Sequence, residues 1–557
     1  MAEASSSTAV IVLAAGAGTR MRSATPKVLH RLAGRSMLGH AIHAAQGLEP
    51  WRIAVVVRHE RDAVAAHALD LDPSVLVADQ DEIPGTGRAV HCGLRALDGA
   101  VQAQQVIAAG GAEVVADGSL AGEVVVLAGD VPLLDSGTLA ELLAAHRESG
   151  NAVTVLTTVV EDPTGYGRIV RDAGTGAVTA IVEERDADAA QRAITEINSS
   201  VYVFDAGLLR EALAQIGTDN DQGEVYLTDV VAVAHERGLG VRAVQTDDPL
   251  AVEGVNDRAQ LAVLARVLND RILREWMLQG VTVVDPATTW VDVDVDLARD
   301  VTLLPGVQLH GATSVAEGAT IGPDTTLTDV EVGAGATVTR SHGSLAVIGA
   351  GATVGPFSYL RPGSELGESG KIGAFVEVKN AKIGRGSKVP HLSYVGDATI
   401  GERSNIGAGT IFVNYDGVNK HHSTVGDAAR TGANNIFIAP VSVGSGAYTG
   451  GGTVVRFDVP DGALAVSAGN QRIIEGWTER RRPGTESAEV AARLRQESGT
   501  SAPVLGSQAR AEQERAGSGS SSLTPSEPVQ LRHAGGAGSD QAPASSDTSA
   551  RAEGTDR

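Results

Sequence analysis

An aliphatic residue followed by glycine recurs along the second half of this chain and constrains its fold more than any other feature. The pairs occur between about residues 315 and 455, at separations that are multiples of roughly six residues. This period predicts a triangular parallel β-helix, in which each side of a coil buries one aliphatic side chain and glycine permits the tight corner. Coils must stack, because no single coil can bury its aliphatic face alone. The pairs are Ile321-Gly322, Val332-Gly333, Ile348-Gly349, Val354-Gly355, Ile372-Gly373, Ile400-Gly401, Ile406-Gly407, Val425-Gly426 and Val443-Gly444.

Length, charge and cysteine content exclude several classes of protein. The 557 residues suffice for about two to four domains, so the repeat accounts for only part of the chain. The formal net charge of −23 argues against a nonspecific nucleic-acid or anionic-membrane surface, because both are bound by excess lysine and arginine. The single cysteine, Cys92, excludes an intramolecular disulfide and a multi-cysteine metal site. We find no secretion signal and no long apolar run, and therefore expect a cytoplasmic protein.

Hydrophobic patterning divides the chain into four parts. Residues 1–258 alternate strand-like and helical patterns, which predicts an α/β domain. Residues 259–279 have helical spacing without proline or internal glycine, so one amphipathic linker helix should follow. The repeat domain covers 280–483 and opens with alternating Val and Asp, which suggests a first strand with one solvated face. Residues 484–557 contain hardly any large apolar residue, so we expect a disordered tail.

A glycine-rich turn follows the first predicted strand. Gly16 and Gly18 let backbone amides approach an anion, and the N-terminus of a following helix would add a favourable dipole. Arg20 and Lys27 would supply positive charge. Taken alone, such a turn is equally typical of an ordinary tight connection. It matches neither the GxGxxG dinucleotide motif nor the GK[ST] phosphate loop.

The wider pattern around this turn is much more specific. L-A-A-G-x-G-T-x-M is followed by Pro26-Lys27, and further matches occur in order along the chain. These matches are Gln80, Gly85-Thr86, Asp130, Gly167, Glu183, Asn198, YLTD at 226–229 and Asn256. With the repeat behind it, the sequence resembles the bacterial bifunctional N-acetylglucosamine-1-phosphate uridyltransferase/glucosamine-1-phosphate acetyltransferase family over about residues 8 to 482.

The resemblance implies a fold, an assembly and two activities. The fold is a Rossmann-like nucleotidyltransferase domain with a mostly parallel sheet, a linker helix and a left-handed parallel β-helix of hexapeptide repeats. The C-terminal domain would acetylate glucosamine 1-phosphate with acetyl-CoA. The N-terminal domain would then transfer UMP from UTP to N-acetylglucosamine 1-phosphate and release pyrophosphate, which feeds peptidoglycan and other cell-envelope synthesis. A homotrimer with active sites between protomers is implied as well.

For the uridyltransferase site, chemistry and resemblance point to the same residues. Nucleotidyl transfer joins two polyanions, so a divalent cation and fixed positive charges lower the barrier. Asp130 ends an apolar strand at the carboxyl edge of the sheet, and with Asn256 it would offer Mg²⁺ hard oxygen ligands. The alternative for Asp130 is a helix cap or a loop residue. By resemblance, Leu13, Ala14, Ala15, Gly16, Gln80, Gly85 and Thr86 hold the uridine, Gly167, Glu183 and Asn198 hold the amino sugar, and Arg20 and Lys27 face the triphosphate.

A polar cluster interrupts the repeat between residues 361 and 420. Amine acetylation needs a base, and histidine is the side chain that titrates in the required range. A lone histidine in a coil is more often structural, but the resemblance assigns His391 as the base and Glu377 as a residue that orients its ring. It also implies that Arg361 and Lys379 grip the sugar phosphate, that Tyr394 and Asn405 hold the sugar, and that Ala408, Asn414, Tyr415, Ala433 and Gly451 bind acetyl-CoA.

Two positions near the coenzyme depart from the family pattern. Ala433 in TGANN stands where many members have serine, and Ala468 follows Ser467 where some members have arginine. The resemblance therefore supports coenzyme contacts at these positions less strongly than it supports the acid–base residues, which are intact.

Two other functions were weighed against the two-site enzyme. One is a nucleotidyltransferase whose repeat only oligomerises or regulates, and the other is a noncatalytic scaffold. Lys27, Asp130 and Asn256 argue against the scaffold, whereas the polar set around His391 argues against a purely structural repeat.

Overall fold

An α/β domain comes first and a parallel β-helix follows, as the sequence predicts. The computed structural model describes residues 8–108, 118–467, 469, 471 and 473–498. By their contacts, the described residues up to Gly469 form one unit and those beyond it form a second. Among the described residues, no helix is both long enough and apolar enough to cross a membrane.

The α/β domain is centred on a sheet in which four of the six pairings along the main path are parallel. A hairpin, Arg168–Arg171 with Val178–Val182, branches from the antiparallel strand Glu196–Asp205. The predicted mostly parallel sheet is confirmed along this path. In spatial order its strands are Val241–Gln245, Val153–Val159, Glu196–Asp205, Glu123–Ala128, Ala9–Leu13, Arg52–Val57 and Leu76–Asp79.

Helices cover both faces of this sheet, because successive strand residues point to opposite sides and both sides are apolar. Ile11 packs into one apolar cluster, whereas Val10 and Val12 pack into another on the opposite face. The carboxyl end of the central strand is thereby held between two cores. The helices are Met37–Gln46, Arg61–Leu71, Thr86–Ala108, Ser136–Ser149, Ala189–Arg192, Ala206–Leu213 and Asp229–Glu236; short 3-10 turns are Thr19–Met21, Lys27–Leu29 and Pro249–Val252, and a small hairpin pairs Arg31–Leu32 with Arg35–Ser36.

Three columns of buried side chains fill the β-helix, one from each face of the coil. Each coil pairs in parallel with the next, so equivalent residues stack directly. The aliphatic–glycine register covers two columns, represented by Ile321 and Ile348. The third column was missed because its buried residues are followed mostly by larger or polar residues; its members include Leu309, Leu327, Leu360, Val378, Val395, Phe412, Phe437 and Val455.

Two of the nine glycines that follow an aliphatic residue, Gly322 and Gly355, have positive φ of 104° and 103° and turn the chain as predicted, whereas the other seven have a different role. Gly333 and Gly349 do not have positive φ. A Cβ atom on Gly349 would lie 2.6 Å from the backbone nitrogen of Glu368 in the next coil. The corner itself is turned two residues later, where Gly335 and Gly351 have φ of 64° and 63°. The seven register glycines without positive φ therefore allow coils to stack closely, and a second position bends the chain beside them.

The first coil differs from the prediction of one strand with a solvated face. Three short strands occupy this segment, because the chain turns between them: Asp285 Oδ1 accepts from the backbone nitrogen of Ala287, and the carbonyl of Asp292 accepts from the backbone nitrogen of Val295. The strands of the first face are Thr282–Val283, Thr302–Leu303, Thr320–Ile321, Thr337–Val338, Thr353–Val354, Lys371–Ala374, Lys388–His391, Tyr448–Thr449 and Leu464–Ala465. Those of the other faces are Trp290–Val291, Asp296–Leu297, Gln308–His310, Ser314–Val315, Thr326–Val332, His342–Ile348, Tyr359–Leu360, Ser364–Leu366, Glu377–Ile383, Tyr394–Ile400, Ile411–Val413, Ser423–Val425, Ile436–Ile438, Val441–Val443 and Val454–Val455.

The linker helix spans Arg258–Leu278 and is attached to the first coil by a buried amide. Asn269 is 1% exposed; its Nδ2 donates to the carbonyl of Thr289 at 2.8 Å, and its Oδ1 accepts from the backbone nitrogen of Val291 at 3.0 Å. The carbonyl of Thr289 and the backbone nitrogen of Val291 are buried away from water, so the Asn269 amide supplies their hydrogen-bond partners.

Replacing Asn269 with leucine should destabilise the protein by about 2 to 4 kcal/mol, because two buried backbone groups would lose their partners. Chemical denaturation followed by circular dichroism measures the change. Asp270→Ala is the matched control, since this neighbouring side chain is 54% exposed and its ion pair with Arg266 should contribute less than about 1 kcal/mol. Equal stability of the leucine variant and the parent would show that the amide is not needed.

Beyond the β-helix, the described chain contains two helices, Trp477–Arg481 and Glu486–Ser498. The prediction of disorder from residue 484 therefore differs from the structure for the first part of the tail. The reason is local: the segment is rich in Ala, Glu and Arg, and Thr485 Oγ1 accepts from the backbone nitrogen of Ala488 at 3.3 Å. Residues 499–557 lie outside the described part of the chain.

Candidate active sites

The glycine-rich turn leaves the end of strand Ala9–Leu13 at the carboxyl edge of the sheet. Gly18 has φ of 58° and begins a three-residue 3-10 turn, Thr19–Met21. The predicted helix directly after the turn is therefore wrong, and no helix dipole of useful length is present there. Any anion at this turn would depend on backbone amides and on neighbouring side-chain cations.

The predicted metal and phosphate residues come together beside this turn. Lys27 Nζ lies 2.5 Å from Asp130 Oδ2 and 3.3 Å from Asn256 Oδ1. Arg20 Nη2 donates to the same Asn256 oxygen at 2.8 Å. Lys27 and Asn256 are 229 positions apart in the sequence and yet lie in contact. Two hard oxygens and two cations therefore meet at one point. Such a point can hold both a polyphosphate and its counter-cation.

These four side chains line a cavity of about 340 Å³. Asp130 follows strand Glu123–Ala128, as predicted, and the backbone nitrogen of Gly129 donates to the carbonyl of Leu13 at 2.8 Å. This bond holds the two strand ends side by side. The complete lining is Leu13, Ala14, Gly16, Ala17, Gly18, Thr19, Arg20, Lys27, Val28, Asp130 and Asn256.

The remaining predicted uridine residues form a separate loop at the same edge. Gln80 Nε2 donates to the carbonyl of Gly85 at 3.2 Å, and Thr86 begins the long helix Thr86–Ala108. Gly85 has φ of 117°, and a Cβ atom there would lie 2.5 Å from the backbone nitrogen of Val225. This position therefore requires glycine for both its conformation and its space.

The three predicted amino-sugar residues also lie together. A Cβ atom on Gly167 would be 3.5 Å from Glu183 Oε2 and 3.5 Å from the Cβ of Asn198. Burial raises the pKa of the Glu183 carboxyl, whereas the hydroxyl of Thr228, which donates to it at 3.2 Å, acts in the opposite direction. Thr228 belongs to YLTD at 226–229, so this motif supports the carboxylate that faces Gly167.

In the β-helix, the predicted phosphate-binding side chains lie on the face where strand Tyr359–Leu360 pairs with the start of strand Glu377–Ile383. Arg361 Nη1 donates to Glu377 Oε1 at 2.9 Å, and Glu377 pairs in register with Tyr394 in the next coil. Among the described contacts, Glu377 makes no hydrogen bond to His391. Its predicted orienting role therefore differs from the structure, in which it holds Arg361.

A second group of charges lies at the end of this face. Lys379 and Lys420 are close enough that the Lys379 ammonium lowers the pKa of Lys420. Burial acts to raise the pKa of Asp397, but hydrogen bonds from Asn380 and Asn414 and the two lysine charges outweigh burial and lower it. Two adjacent ammonium groups therefore lie beside one buried carboxylate, which offsets part of their charge.

Asp397 is the functional candidate that the sequence analysis missed. It is 8% exposed, and Asn380 Nδ2 donates to its Oδ1 at 2.6 Å. The sequence feature that could have identified it is an acidic residue in Val395-Gly396-Asp397, where the repeat otherwise has small residues. Asn414 lies with this group and also donates to Tyr394 at 3.4 Å, so the structure does not place it beside Ala408.

His391 occupies a different column, at the edge of the first face. Backbone hydrogen bonds join successive coils at this edge. The nitrogen of Gly409 donates to the carbonyl of His391, and the nitrogen of Asn434 donates to the carbonyl of Ala408. The predicted coenzyme residues Ala408, Ala433 and Gly451 therefore lie in the His391 column, and Asn405 lies on the same face. Tyr415 is 56% exposed on a loop elsewhere, and Ala468 lies outside the described residues.

An exposed apolar ladder separates His391 from the phosphate-binding face. Phe357, Phe375 and Leu392 turn the same corner in successive coils and are 53%, 59% and 62% exposed. The two phenylalanine rings stack with centroids 5.3 Å apart. One chain therefore presents His391 on one side of an apolar edge and Arg361 on the other.

Comparison with known proteins gives consistent results. Residues 10–277 match the MobA-like NTP transferase domain family. A bifunctional protein GlmU from Kineococcus radiotolerans is 60% identical over 495 residues, covering 89% of this chain and 96% of that protein. Those from Pseudarthrobacter chlorophenolicus and Mycolicibacterium vanbaalenii are 59% and 58% identical, covering 87% and 86% of this chain and 94% of each relative.

Proposed function

The chain belongs to the family of bifunctional GlmU proteins, and from this premise we propose which residues perform each of its two reactions. It is an enzyme of UDP-N-acetylglucosamine synthesis with uridyltransferase and acetyltransferase activities. We assign uridylyl transfer to residues 1–258 and acetyl transfer to 280–483, joined by the helix at 259–279. The observation that supports this division most directly is the convergence of Lys27, Asp130 and Asn256 in the first part.

In the uridyltransferase site, the sugar phosphate attacks the α-phosphorus of UTP and pyrophosphate leaves. Lys27 and Arg20 would neutralise the triphosphate, because both lie beside the glycine-rich turn and donate to the same oxygen, Asn256 Oδ1. Gln80, Gly85 and Thr86 would hold the uridine. Gly167, Glu183 and Asn198 would hold the amino sugar, because Glu183 and Asn198 both lie directly beside Gly167 in space.

Asp130 and Asn256 fit a divalent cation such as Mg²⁺. Their oxygens both lie within 3.3 Å of the Lys27 ammonium, and two protein oxygens suit a metal that retains water and phosphate ligands. When bound, the cation would neutralise charge on the triphosphate. Asp130 would hold it and Asn256 would complete its protein ligands.

In the acetyltransferase site, the amine of glucosamine 1-phosphate would attack the thioester carbonyl of acetyl-CoA while His391 accepts a proton from it. The C–S bond then breaks, and coenzyme A leaves as its thiol with a proton returned to the sulfur. Arg361, Lys379 and Lys420 would bind the phosphate. Tyr394 and Asn405 would hold the sugar. The column of Ala408, Ala433 and Gly451 offers a narrow, uncharged path for the coenzyme in line with His391.

A homotrimer would complete this second site. The ladder of Phe357, Phe375 and Leu392 is an exposed apolar strip along one corner of a regular β-helix, and such strips are typical of subunit interfaces. A second copy packed on the ladder could bring its own side chains beside His391. We place the trimer in the cytoplasm, where both co-substrates, UTP and acetyl-CoA, are made and used.

Phe375→Asp should convert the trimer to monomers and reduce acetyl transfer by at least about tenfold, because a charge in an apolar contact opposes association. Light scattering and both activity assays measure these effects. Uridylyl transfer should stay within about twofold, and so should both activities of the control Val347→Asp, which places the same charge at another exposed apolar side chain. A trimeric Phe375→Asp protein would remove the ladder from the interface.

Product analysis tests the whole assignment. The protein is incubated with glucosamine 1-phosphate, acetyl-CoA, UTP and Mg²⁺, and each component is omitted in turn. Without acetyl-CoA no UDP-N-acetylglucosamine should form, whereas without UTP N-acetylglucosamine 1-phosphate should accumulate. Formation of a UDP-sugar from unacetylated glucosamine 1-phosphate as the main product would contradict the proposed order.

A further inference from the structure

Arg168 is a charged side chain in the interior of the α/β domain, and the roles proposed above do not use it. Only 1% of the residue is exposed, although it lies directly after Gly167 and begins strand Arg168–Arg171. Removing a guanidinium from water is costly, so an apolar residue would be favoured here if packing were the only requirement.

The guanidinium joins two segments that flank the proposed amino-sugar site. Its Nη1 donates to the carbonyl of Tyr166, and its Nη2 donates to Glu184 Oε2 at 2.5 Å. Its buried Nε has no hydrogen-bond partner among the described residues. Tyr166 immediately precedes Gly167, and Glu184 immediately follows Glu183. The contacts of Arg168 therefore connect the two chain segments that carry these sugar-site residues.

The two strands involved are already paired without this connection. Arg168 is in register with Val182, and the backbone nitrogen of Asn198 donates to the carbonyl of Gly167 at 2.9 Å. The side chain of Glu184 is 31% exposed, whereas that of Arg168 is 2% exposed, so Glu184 is the partner that compensates a buried guanidinium charge. What the pair determines is the spacing between the Gly167 turn and the Glu183 carboxylate.

We propose that Arg168 and Glu184 form a positioning pair that sets the affinity of the uridyltransferase site for the phosphorylated amino sugar. The inference rests on the amino-sugar role proposed above for Gly167 and Glu183. A shift of the Glu183 segment relative to the Gly167 turn would misplace the sugar, while the UTP residues on the other loops would keep their positions.

Glu184→Ala in the full chain tests the pair, with steady-state uridylyl transfer measured against each substrate. The KM for N-acetylglucosamine 1-phosphate should rise about tenfold, whereas kcat and the KM for UTP should stay within about twofold. Glu184→Gln keeps an acceptor oxygen for the guanidinium and should restore most of the affinity. Arg171→Ala is the matched control. Arg171 lies on the same strand but further from Gly167, and the variant removes its ion pair with Glu196, in which Nη2 and Oε1 are 2.7 Å apart.

Two results would overturn the proposal: an unchanged KM for the sugar phosphate in Glu184→Ala, or an equal rise in both KM values. An Arg171→Ala effect as large as that of Glu184→Ala would also do so, by showing a general disturbance of the hairpin. Glu183→Ala separates the two levels of inference. If that variant leaves the sugar KM unchanged, the proposed sugar site is wrong; if it raises the KM and Glu184→Ala does not, only the positioning pair is wrong.

Discussion

Asp130→Ala should reduce uridylyl transfer by about 10³-fold or more and leave acetyl transfer within about twofold, since the variant removes the carboxylate on which the proposed cation and Lys27 converge. The two effects separate because His391, Arg361 and Lys379 lie in another part of the chain. Pyrophosphate release and thiol release report the two reactions independently.

Asp62→Ala is the control for this variant. Its side chain is 95% exposed and forms only a surface pair with Arg61, so neither activity should change. Binding of Mn²⁺ in the presence of UTP adds a readout that does not depend on turnover, and it should weaken in Asp130→Ala alone. A parallel loss of both activities in a folded Asp130→Ala protein would contradict the assignment of separate sites.

His391→Ala should reduce acetyl transfer by about 10² to 10⁴-fold, the range expected when a positioned acid–base group is lost, and should leave uridylyl transfer unchanged. Thiol release and pyrophosphate release measure the two reactions in the variant and in the parent.

His422→Ala is the control, since this exposed histidine bonds Thr399 on another face at 2.9 Å. Retention of more than about a tenth of the parental acetyl-transfer rate in His391→Ala would exclude His391 as the base. Glu377, which the structure pairs with Arg361, would then have to act on the amine through water.

Periodicity and local motifs predicted more of the β-helix than of its site. The aliphatic–glycine register located two buried columns, because stacking places the same residue type at the same point of each coil. It missed the column of Leu309, Leu327 and Phe412, whose members are mostly followed by residues other than glycine. Asp397 was missed for a related reason: its partners Asn380 and Asn414 lie 17 positions before and after it, so no local pattern joins them.

The sequence by itself determined the order of domains, the strand ends that carry Asp130 and the glycine-rich turn, and the family to which the chain belongs. Each is local or repeated, and short-range propensity or a motif encodes it. Only the tertiary structure decided that Lys27 and Asn256 lie in contact, that Glu377 faces Arg361, and that an apolar corner separates His391 from Arg361. These relations join residues distant in sequence, and packing between strands and coils creates them.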